Sequence, residues 1–174
     1  MRSLQFLILA GFLCLPARTS TLQHLSLKDM ALKSTDIVRG HVQRGKPAWH
    51  GSQIFTHYLV FVGERWKGTG GPVVDLAVQG GALDGLRQTC AGAPELADGR
   101  EYVLFLWRSP SGLNLIIGLS QGLFEVNSPG EEGVQASSTE VMLNSSGAGM
   151  TAAPVRMKLA DMRKYVQRVV TEGR

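Results

Sequence analysis

The stretch QIFTHYLVFVGERWKG, residues 53–68, constrains the fold of this chain more than any other. It is dense in β-branched and aromatic residues and alternates with a period of two. Ile54, Thr56, Tyr58, Val60 and Val62 fall on one face, and Phe55, His57, Leu59 and Phe61 on the other. Bulk on both faces is not the pattern of a strand with one wet side. It implies a small closed barrel or a strand shared between packed layers.

The segments around it supply partners of the same kind. TDIVRGHVQ (35–43) alternates, and the turn-forming GKPAWHGS (45–52) reads as a loop before the long strand. VVDLAVQ (73–79), REYVLFLWRS (100–109), LNLIIGLS (113–120) and GLFEVN (122–127) follow as strands, with SPSG and SPGEEG as turns. Residues 128–154 are rich in small polar residues and hold one further strand near VQASSTEVML (134–143). Two helices flank this set. LSLKDMALKS (25–34) opens on Ser26 with Asp29 three residues on, a weaker relative of the Ser-x-x-Glu capping box. KLADMRKYVQRVV (158–170) aligns Leu159, Met162, Val166 and Val169 on one stripe, with Lys158, Arg163, Lys164 and Arg168 largely off it. The expected architecture is mainly β: a small, partly closed antiparallel barrel of about five to seven strands, with a short N-terminal helix and a C-terminal amphipathic helix. Val60, Val103, Leu104 and Phe105 are its expected core.

The N-terminus reads as a targeting segment. MRSLQFLILAGFLCLPARTS places one arginine before an apolar run from Leu4 to Leu15, followed by Pro16, Ala17 and small polar residues, the layout of a secretory signal peptide. The run is shorter than the roughly 20 residues a membrane span needs, so no stable anchor is expected after cleavage. The expected division is a signal peptide at 1–20, a barrel domain at 21–145, a flexible connection at 146–154 and a C-terminal helix at 155–174. Localisation would be secreted or periplasmic. Loss of Arg2 and Arg18 would lower the formal charge of +4 by two, a balance that does not point to nucleic acid. Cys90 would then be the sole cysteine, with no intramolecular disulfide available, so stability must come from a packed core.

The order DIVRGHV, a long strand ending in ERWKG, then VVDLAVQGG, ADGREYVLFLW and GLSQGLFEV resembles a group of poorly characterised secreted bacterial domains. Their pattern runs I-V-x-G-x-V, V-x-x-V-L-K-G, V-x-V-x-G-G, G-E-x-Y-V-L-F-L and G-x-F-x-V. Trp66 replaces the usual leucine before Lys67 and Gly68, and Arg100 intervenes between Gly99 and Glu101. The likeness covers roughly residues 26–127. It implies an OB-like barrel, similar in topology to netrin-like and metalloproteinase-inhibitor modules. Related chains carry such a domain ahead of a matrixin-type metalloprotease, which makes a secreted protease a possible partner. This chain has no HExxH zinc motif.

Candidate chemistry is sparse. In VQGGALDGLRQTC (78–90), Gly80, Gly81 and Gly85 match neither a dinucleotide nor a Walker glycine spacing, so a turn or barrel corner is expected rather than a phosphate cradle. Cys90 could act as a nucleophile beside Arg87 but has no signature for a partner base, and an inert small hydrophobe is the plainer reading. His41 and His57 could face each other across a hairpin and share a metal, though a third ligand is missing. Trp49, Trp66, Trp107 and Tyr58 could form a stacking platform for a glycan or single-stranded nucleic acid, or simply pack in the core. Asn144-Ser145-Ser146 matches a glycosylation acceptor. The function that fits is an exported non-enzymatic protein-binding module without cofactor, with Trp49, His50, Gly80, Gly81 and Arg87 as contact residues. The alternatives are an accessory or inhibitor-like partner of a secreted metalloprotease, a glycan-binding module, and, last, a metal- or cysteine-dependent hydrolase.

Overall fold

The computed structural model describes residues 24–127, 140–143 and 156–173. The segment 1–20, most of 128–154 and the Asn144 acceptor lie outside the described residues. Helix α1 (Leu27–Lys33) is followed by ten strands: β1 (Asp36–His50), β2 (Gln53–Lys67), β3 (Val73–Gln79), β4 (Gly81–Leu83), β5 (Leu86–Gln88), β6 (Glu101–Arg108), β7 (Asn114–Ile116), β8 (Leu123–Asn127), β9 (Glu140–Leu143) and β10 (Arg156–Lys158). Helix α2 (Leu159–Glu172) is the last described element. The chain is thus mainly β with two helices, as expected, but with more strands than expected. Residues 156–158, placed in the C-terminal helix by sequence, are strand β10, which pairs antiparallel with β9.

Eight strands form one sheet in the order β1-β2-β3-β7-β6-β8-β9-β10, and β1 also pairs with β6. The pairings therefore run in a ring from β1 through β2, β3, β7 and β6 back to β1, with β8, β9 and β10 extending outside it. The ring is not uniformly antiparallel: β3 meets β7 in a parallel bridge between Leu76 and Asn114. Two expected segments changed. β1 continues through 45–50 to a two-residue turn at Gly51 and Ser52, because Trp49 and His50 pair with Ile54 and Gln53. The apolar run 113–120 is a strand only to Ile116, since Gly118 and Leu119 both take positive φ and turn the chain.

Two-sided burial is present, but on a different strand. Phe105 and Val103 of β6 face α1 and α2 in a cluster with Met30, Ile37, Trp66, Phe124, Met162 and Val166. Tyr102, Leu104 and Leu106 face the sheet interior with Val38, Val60, Leu76 and Leu123. Covered on both sides, β6 carries the unbroken apolar run YVLFL that such a position selects. The middle of β2 is one-sided instead: Val60 is fully buried while Leu59 and Phe61 are exposed. Trp107 continues the Phe105 face beyond the helix-side cluster and is 41% exposed, so the core role open to it from sequence does not hold. Val60, Val103, Leu104 and Phe105 are all completely buried.

The helices are fixed to the sheet by the end of β2. Lys67 Nζ donates to the carbonyls of Ala31 and Leu32 at 2.8 Å, placing a cation on the C-terminal carbonyls of α1. Trp66 is buried among the helix residues, and its indole N–H donates to Glu64 at 3.1 Å. Glu64 also meets Arg39 of β1 at 2.9 Å and Arg163 of α2 at 3.4 Å, and Arg65 pairs with Asp36. At the other end of α1 the capping box is complete, with Ser26 Oγ accepting from Asp29 N at 3.0 Å. Gly40 allows the closest strand approach. A Cβ there would stand 2.3 Å from Phe61 O, so β1 and β2 can meet at this register shift only without a side chain.

Two predictions follow from this packing. Phe105→Ala should lose about 3–5 kcal/mol in urea unfolding, while Trp107→Ala should lose under about 1 kcal/mol. The Glu64 carboxyl is held below its ordinary pKa, chiefly by the Trp66 indole N–H and then by Arg163 and Arg39. Its contribution is fully present above the unfolded carboxylate pKa of about 4.3 and is lost as pH falls through the lower folded value. Glu64→Gln should therefore flatten the loss of stability below about pH 4, read as urea midpoint against pH.

Candidate binding site

Within residues 78–90 the chain makes a β-hairpin, β4 against β5. Leu83 pairs with Leu86 across Asp84 and Gly85, both at positive φ (51° and 76°), the geometry of a type I′ turn. The Asp-Gly pair is the signal that sequence reading passed over. Gly80 and Gly81, at φ 108° and 146°, lead into it. A Cβ on Gly81 would meet Thr56 Oγ1 at 2.8 Å, so glycine lets the hairpin lie directly against β2. Thr56 Oγ1 donates to Gly80 O at 2.8 Å, and Gln88 Oε1 accepts from Ile54 N at 2.6 Å, which ties both arms to the same strand.

The hairpin shelters a cavity of about 360 Å³ whose wall includes Gly80, Gly81 and Arg87, three of the residues expected to make contacts. Trp49 is brought to the same end of the molecule: its indole N–H donates to Asp84 at 3.0 Å across the hairpin turn. Trp49 is exposed, and Leu86, which flanks the same hairpin turn, is 59% exposed. His50 stands apart from the cavity wall, packing edge-on against Phe55 with ring centroids 5.9 Å apart. Gln79, Gln88 and Glu95 also line the cavity and were not singled out as contacts, and Tyr58, considered only as a stacking residue, joins them there from β2.

Other candidate chemistry disperses. His41 pairs with Phe61, and His57 with Lys46, so the two histidines are not opposite one another and the shared-metal reading fails on register. His57 Nδ1 instead meets Asp75 at 3.0 Å, beside Arg108 in a separate cavity of about 270 Å³. Among the described residues no group of three or more His, Cys, Asp or Glu side chains could hold a metal ion. Cys90 is half-buried, and its thiol donates to Gln79 Oε1 at 3.3 Å. With Trp66 withdrawn into the helix-side core, the four aromatic residues do not make one platform. No described helix is long and apolar enough to cross a membrane. Comparisons with known protein families, characterised proteins and solved structures return no match.

Gly81→Ala adds both a strained φ and a contact with Thr56, and should cost roughly 1–3 kcal/mol in thermal or urea unfolding. The amide signals of residues 80–90 should shift together with the Trp49 indole signal in the same variant.

Proposed function

We propose that this chain is an exported, non-enzymatic binding module whose ligand is a protein, held at the end of the molecule where the β1–β2 turn meets the β4–β5 hairpin. The observation that carries this reading is the joint presentation of exposed Trp49 and Leu86 with Arg87, on a hairpin whose shape is set by glycines and braced by the Trp49–Asp84 hydrogen bond. Tryptophan and arginine are the side chains most enriched where protein interfaces concentrate their energy, and a braced loop loses little entropy on binding. The ring of pairings through β1, β2, β3, β7 and β6 supports reading the fold as a partly closed OB-like barrel, with the hairpin as an elaboration at one end. The N-terminal apolar segment supports export, and residues 1–20 are expected to be missing from the mature protein by mass spectrometry.

Affinity capture by the immobilised full chain from the extracellular fraction of its own source tests the reading. A specific protein should be recovered, and Trp49→Ala should weaken its binding at least about tenfold while leaving the unfolding midpoint near that of the parent. Recovery of no protein, together with metal-dependent turnover by the purified chain, would replace this reading with an enzymatic one.

A further inference from the structure

The cavity beneath the β4–β5 hairpin carries several hydrogen-bond donors that have no partner among the described residues. Two amide side chains on its wall already hold a donor from inside the fold on their oxygen. Gln88 Oε1 takes the N–H of Ile54, and because that backbone group can only donate, the amide orientation is fixed. Gln79 Oε1 takes the Cys90 thiol at 3.3 Å. Burial raises the pKa of the Tyr58 phenol on the same wall, so it keeps its proton. Among the described residues the NH₂ groups of Gln79 and Gln88 and the O–H of Tyr58 donate to no partner, so the wall keeps these donors free. Arg87 adds a guanidinium that pairs with no carboxylate among the described residues, although Glu95 lines the same cavity.

We propose that this cavity receives a carboxylate, the side chain of an Asp or Glu in an extended acidic segment of the protein partner. The inference rests on the protein-binding reading above and states what that partner must present. A carboxylate suits the wall better than a phosphate does. Arg87 is the single cation lining the cavity, and exposed Glu95 on the same wall penalises a second negative charge. A planar monoanion matches the guanidinium fork and leaves its second oxygen for an amide donor. Val78, Ala93 and Leu96 on the same wall accommodate the methylenes of an acidic side chain. Trp49 and Leu86, exposed at the turn of the same hairpin, supply the apolar contact that a peptide flank would use and a free small acid would not.

The test uses the full chain and two capped pentapeptides, acetyl-Ala-Leu-Glu-Leu-Ala-amide and its Gln counterpart, followed through the side-chain amide signals of Gln79 and Gln88. The Glu peptide should give saturable shifts and the Gln peptide at least about tenfold weaker ones, in keeping with loss of a charge-assisted pair. Arg87→Gln, and Gln88→Glu, which keeps an acceptor for Ile54, should each weaken Glu-peptide binding about tenfold or more, and Glu95→Gln should strengthen it. Equal binding of the two peptides, absence of saturable shifts, or the same shifts from sodium acetate at equal concentration would overturn the assignment. A captured protein that depends on Trp49 but ignores Gln88→Glu would remove the carboxylate site and leave the protein-binding reading intact. Saturation by the Glu peptide with no protein captured would do the reverse.

Discussion

Burial of β6 on both faces is the constraint around which this molecule is organised. A strand with Leu104 on one side and Phe105 on the other, both sealed from water, needs two separate covers. The sheet supplies one by turning back so that β1 pairs with β6 as well as with β2. The helices supply the other, and the residues that hold them, Glu64 to Lys67, all sit at the end of the strand that follows β1. Neither cover is optional, since losing either would expose large apolar side chains of a single central strand.

Arg39 shows how charge is accommodated in this layered arrangement. It lies on β1 between β2 and β6 and binds Glu64 on one neighbour and Glu101 on the other, at 2.9 and 2.8 Å. Desolvation works against its charge, and the hydrogen bonds and charges of the two carboxylates more than offset that effect, leaving its pKa raised. The three strands are thereby joined through side chains beside the register shifts of the β1–β2 pair.

The fold was legible where burial writes directly into sequence. The fully buried Val60, Val103, Leu104 and Phe105, the stripe of α2 and the cap of α1 could all be read from local pattern. The assignment of two-sided burial to the middle of β2 was not, because Leu59 and Phe61 carry the same apolar signature whether a layer covers them or not. The loop expected at 45–52 fails for a related reason: Gly45 and Pro47 suggest a break, yet pairing with β2 continues to His50. The candidate site was half legible. Gly80, Gly81, Arg87 and Trp49 were named as single residues, but the cavity depends on Tyr58 and Glu95 converging on the hairpin through tertiary contacts that no spacing records. The separation of His41 from His57 is likewise a matter of register.

The order in which the chain is made gives the helix-side core a temporal meaning. Phe105, Trp66 and Ile37 are synthesised early, yet the cluster that covers them needs Met162, Val166 and Val169 from the last described element. During synthesis the nascent sheet therefore holds an uncovered apolar face until α2 emerges and docks beside α1. The helix-side core closes only after α2 has been made, and a chain without it would leave Phe105 and Trp66 uncovered, a surface conspicuous to chaperones and proteases.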